Sequence, residues 1–62
     1  MSKFEHGMIF ENEEGDIMRI VGETEPHQYE VDTWWNGSFA CMGEEVHESE
    51  FFNRRLDLET AH

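Results

Sequence analysis

The chain is poor in cysteine, proline and positive charge: one cysteine, one proline and four basic residues stand against fifteen acidic ones in 62. The lone Cys41 cannot close an intrachain disulfide. That excludes the bridged scaffold usual for small secreted domains and points to a cytoplasmic protein, or to the host cytoplasm if the source is viral. Neither "MSKFEHGM" at the start nor any later stretch is apolar for long enough to act as a signal peptide or a membrane span, so a soluble protein is expected. With a formal charge of -11, the chain has few groups to neutralise phosphates. Direct binding to nucleic acid or to an anionic membrane is therefore not expected. No repeat, linker or low-complexity tract divides it. A single domain over residues 1–62 is expected, with residues 1–6 and 60–62 fraying.

What is present is a series of short β-forming runs separated by turn residues. "MIF" at 8–10 and "IMRIV" at 17–21 flank "ENEEGD", where Gly15 can take a positive φ, and together they predict a hairpin. "GETEPHQ" at 22–28 reads as a loop. "YEVDTWW" then meets "SFACM" across Asn36-Gly37, a pair suited to a type I′ turn because both central residues need positive φ. Further on, Ser49 is placed to cap a helical turn, with Glu50 at its start and Arg54 and Arg55 near its end. Phe52 and Leu56 would face inward from that turn, and "LDLE" at 56–59 alternates as a last strand.

The expected fold is all-β with one short helical turn. The pattern "G-MIF…EG-DIMRIVG…YEVDTWWNGSF…V…FF…LDL" resembles the small five-stranded SH3-like barrels, such as Tudor- and KOW-like domains, over most of residues 7–58. This resemblance implies a fold and carries no function.

Trp34 and Trp35 are adjacent, so a regular strand sends them to opposite faces. A two-residue loop places Trp35 opposite Ser38, Trp34 opposite Phe39 and Thr33 opposite Ala40. Tyr29, Val31, Trp35, Ala40 and Met42 then form the expected apolar face. The other face pairs Trp34 with Phe39 beside Glu30, Asp32 and Cys41. On this reading Trp34 is either covered by a loop or the N-terminal arm "KFEHG" or exposed as an anchor for a partner, with Glu30 and Asp32 selecting a basic one.

Catalytic and metal signatures are weak. Cys41 and His47 lack recognisable orienting or oxyanion groups. The spacing among Cys41, His47, His27 and His6 matches no usual zinc pattern, and "ENEEGD" lacks the ligand spacing of a calcium loop. No enzyme, metal or cofactor is expected. The carboxylates cluster at 11–16, 23–25, 30–32 and 44–50, around turns rather than in a tail. Three explanations suit them: an ordinary solvated surface, adaptation to high salt, or mimicry of phosphate charge. The reading preferred is a non-enzymatic decoy, similar in size and charge to virus-encoded acidic DNA-mimic inhibitors of restriction or CRISPR systems. Glu11, Glu13, Glu14, Asp16, Glu44, Glu45 and Glu48 would meet Lys and Arg of a nuclease or other nucleic-acid-binding protein, while Trp34 and Phe39 anchor the contact. The alternative is an SH3-like interaction or assembly module with an acidic, halophilic surface.

Overall fold

The computed structural model describes residues 3–59. Five antiparallel strands form one sheet: β1 (Ile9–Glu11), β2 (Ile17–Glu25), β3 (Gln28–Trp35), β4 (Ser38–His47) and β5 (Asn53–Arg54). A 3-10 turn at Glu48–Glu50 links β4 to β5, and a short helix, α1 (Leu56–Glu59), follows. The strand order is β4-β3-β2-β1-β5, which leaves β4 and β5 at the edges.

Local chemistry explains the turns. Between β1 and β2 the Asn12 side-chain oxygen accepts the amides of Glu14 and Asp16, each at 2.9 Å, and Gly15 turns the chain at φ 92°. Asn36 and Gly37 sit at φ 50° and 84°, the two positive values a type I′ turn requires. The expected pairs Trp35–Ser38, Trp34–Phe39 and Thr33–Ala40 all form. Below them the ladder breaks: Asp32 alone faces Cys41, Met42 and Gly43 before Val31 pairs with Glu44. This bulge turns at Gly43, whose φ of 67° suits a residue without Cβ.

The core gathers Phe10, Met18, Ile20, Tyr29, Val31 and Phe51, with Phe4, Met8 and Val46 packed against it. Phe4 meets Phe10, Tyr29 and Phe51 at ring-centroid distances of 5.2, 5.4 and 5.0 Å. Phe4 of the N-terminal arm therefore packs on the core and is not frayed, while His6 and Gly7 of the same arm line a hollow with Trp34 and Phe39. Residues 1, 2 and 60–62 of the ends expected to fray lie outside the described residues.

Several expectations are corrected. The segment 22–28 is strand up to a tight turn at Pro26 and His27, because His27 accepts φ 70° and lets β2 and β3 continue to it. Trp35 and Met42 do not enter the core; they are 70% and 68% exposed. The reason is overhang: Met18–Thr33 is the last pair that β2 makes with β3 at this end, and Trp35 lies two residues beyond it. His47, not Ser49, caps the 3-10 turn, its Nδ1 accepting the Ser49 amide at 3.1 Å. That phase buries Phe51 and leaves Phe52 and Leu56 61% and 58% exposed. Residues 56–59 are helical rather than extended. The pairing of β5 with β1 ends as the Arg55 amide donates to the Ile9 carbonyl, and ion pairs from Arg54 to Glu59 and from Arg55 to Asp57 close the turn.

Candidate functional site

On the outer face of β2 and β3, Arg19 stands directly across from Asp32. Its Nη2 donates to Asp32 Oδ2 at 2.9 Å, and its guanidinium lies 4.6 Å from the centroid of Phe39. Phe39 in turn meets Trp34 edge-to-face at 4.9 Å. Asp32 is 6% exposed, so its carboxylate is covered by this assembly. The Trp34–Phe39–Asp32 group proposed from sequence is thus brought together, but its cation is the chain's own Arg19. Glu30 is half-buried between Gly22 and Glu45 on the neighbouring strands.

Trp35 faces the opposite way, at the overhanging tip of the β3–β4 hairpin. On one side it borders a hollow of about 430 Å³ with Thr33, Ala40, Met42 and Glu44. On the other it borders one of about 260 Å³ whose walls include Asp16, Ile17, Glu44, Val46 and Glu50. Glu13 and Glu14 line a third hollow next to this, sharing Asn12 and Glu50 with it. The fold therefore collects Glu13, Glu14, Asp16 and Glu44 with Glu50 at one end, from three separate stretches of chain. From the sequence Glu50 reads as a helix-start residue in the 44–50 carboxylate cluster and not as a partner contact. It joins the group because the 3-10 turn brings it against the β1–β2 turn.

The remaining predicted carboxylates have internal partners. Glu11 pairs with Arg55 at 3.3 Å, Glu45 accepts the Thr24 hydroxyl at 2.7 Å, and Glu48 lies 3.1 Å from His27 Nδ1. The arginines are likewise committed: Arg19 to Asp32, Arg54 to Glu59, Arg55 to Asp57 and Glu11. Hydrogen bonding to Arg54, opposed by desolvation and helped by the Ile9 amide, holds the Glu59 carboxyl below the usual range. Hydrogen bonding to Arg55 does the same for Asp57. No lysine or arginine lines any of the three hollows around Trp35 and the β1–β2 turn.

Cys41 is exposed on the β4 edge, and His47 Nδ1 is engaged by Ser49. Among the described residues, no three His, Cys, Asp or Glu side chains are grouped to hold a metal ion, and no helix is long and apolar enough to cross a membrane. No protein-family model matches the sequence, and neither a curated protein nor a solved structure matches it.

Proposed function

We propose that this chain is a non-enzymatic, acidic protein-binding domain that acts as a decoy, presenting carboxylates in place of phosphates to a basic nucleic-acid-binding protein such as a nuclease. One observation carries the reading: the arginines are drawn into ion pairs elsewhere, while Asp16, Glu44 and Glu50 flank an exposed tryptophan, and Glu13 and Glu14 line the adjoining hollow, with no cation among them. Concentrated negative charge steers a basic surface into encounter, and a desolvated aromatic side chain lengthens residence. Trp35 serves as that anchor better than Trp34, because Phe39 already covers part of Trp34.

A second reading is an SH3-like interaction module. It is supported by five short antiparallel strands with a 3-10 turn ahead of the last one, β5.

The deciding experiment captures partners from extract of the native host on the immobilised chain, then asks whether adding chain releases each captured protein from duplex DNA or RNA. The decoy reading expects a nucleic-acid-binding partner and competitive release. By itself the chain should give no saturable gel shift with duplex at about 100 mM salt. A partner that holds chain and duplex together, or that binds no nucleic acid, overturns the decoy and favours the module.

A further inference from the structure

Trp35 borders two hollows, which also share Thr33 and Glu44, and only one of them carries further carboxylates. One is walled mainly by Ala40, Met42 and the Thr33 side chain; the other carries Asp16 and Glu50, with Glu44 bordering both. None of these three carboxylates is ion-paired with a lysine or arginine among the described residues. Burying an apolar face against a neighbour is favourable, and carboxylates beside an indole suit a guanidinium, which can stack on the ring while donating two hydrogen bonds to one carboxylate. We propose that this tip is a docking site for an extended protein segment that carries an arginine two residues from an aliphatic side chain. The aliphatic group enters the Met42 hollow, and the guanidinium lies over Trp35 toward Asp16, Glu44 and Glu50. Side chains two apart on an extended segment point to one side about 7 Å apart, which lets a single segment straddle one indole.

Charge selects this occupant over others. A second copy of the chain would bring the same carboxylates to the same place, and like charges in contact are repulsive. Nucleic acid is opposed for the same reason. The proposal names the segment that the decoy's partner would present, and so it rests on that reading for its biological setting; its test does not use that partner.

The probe is a short capped peptide of alternating arginine and leucine, compared with one in which glutamate replaces arginine and one in which serine replaces leucine. In the Trp34→Phe variant, Trp35 is the sole indole, and its emission should shift saturably with the first peptide only. By calorimetry on the otherwise natural chain, Trp35→Ala should weaken the first peptide about tenfold, and the pair Glu44→Gln with Glu50→Gln by a similar factor with a shallower salt dependence. Because these residues are exposed, circular dichroism should be unchanged. Equal binding of the glutamate peptide, undiminished binding by Trp35→Ala, or a dimer that Trp35→Ala dissolves would each overturn the site. If the peptide binds but no captured partner is released from nucleic acid, the docking site stands and the decoy reading fails.

Discussion

Arg19 and Asp32 face each other across β2 and β3 at 2.9 Å, and the two are not equally dependent on the contact. Asp32 is almost wholly covered, whereas much of the Arg19 side chain reaches water. Removing the arginine strands a covered carboxylate and also uncovers the ring of Phe39. Removing the aspartate leaves a guanidinium that solvent can take up. Arg19→Ala should therefore cost about 1–3 kcal/mol and Asp32→Ala less, with the double change costing less than the sum. Urea denaturation of the three variants checks the order, and a greater loss from Asp32→Ala would contradict it.

The two tryptophans should behave in opposite ways. Trp34 is half-covered by its contact with Phe39, so Trp34→Ala should destabilise by about 2 kcal/mol. Trp35 lies beyond the last β2 pair, and Trp35→Ala should stay within about 0.5 kcal/mol of the parent. A core tryptophan would cost about 3–5 kcal/mol, so thermal unfolding of the two variants separates the placements cleanly.

How far these placements were readable depends on the range of the interactions that set them. The register beside Asn36-Gly37 follows from two residues that accept positive φ, and the faces of Tyr29 and Val31 follow from alternation; both could be read locally. The exposure of Trp35 could not. It requires knowing where β2 stops, and the expected apolar face continued past the end of its cover. Asp32 was assigned to an open acidic face because its partner Arg19 lies on another strand, across a ladder with two register shifts. Phe51 was passed over for Phe52 because the phase of the 3-10 turn is set by the His47 imidazole, a capping group less common than the neighbouring Ser49 hydroxyl. Glu13, Glu14, Asp16 and Glu44 of the acidic end could be named from the sequence, but Glu50 could not, since it reaches them only through the fold.

Salt should stabilise the protein. With a formal charge of -11, repulsion among carboxylates opposes compaction, and raising salt from about 0.1 to 1 M shortens the screening length from about 10 to 3 Å. Screening also weakens the exposed arginine pairs, but such pairs contribute little each and are outnumbered by the unneutralised carboxylates. A rise in melting temperature of about 5 °C or more is expected over that range. A continuing rise into multimolar salt would favour the halophilic module over the decoy, and a flat response would remove the self-repulsion argument.

Acid should loosen α1 even while it relieves repulsion elsewhere. The carboxyls of Glu59 and Asp57 are held below their ordinary range by hydrogen bonds from Arg54 and Arg55. Groups whose folded value is lowered contribute stability that is intact above the unfolded carboxylate value of about 4 and is lost as pH falls through the folded value. Protonation of Glu59 also weakens its interaction with the Ile9 amide, so the connection from α1 to β1 should respond to the same titration. Carboxyl NMR titration should give both residues low midpoints, with the amide signal of Ile9 moving in step with Glu59 and that of Leu58 in step with Asp57. In Arg54→Ala the Glu59 midpoint should rise toward the ordinary range while that of Asp57 stays low, because Arg55 is untouched. An unchanged Glu59 midpoint in that variant would mean that Arg54 does not hold the carboxylate, and the ion pair would have no part in fixing the helix.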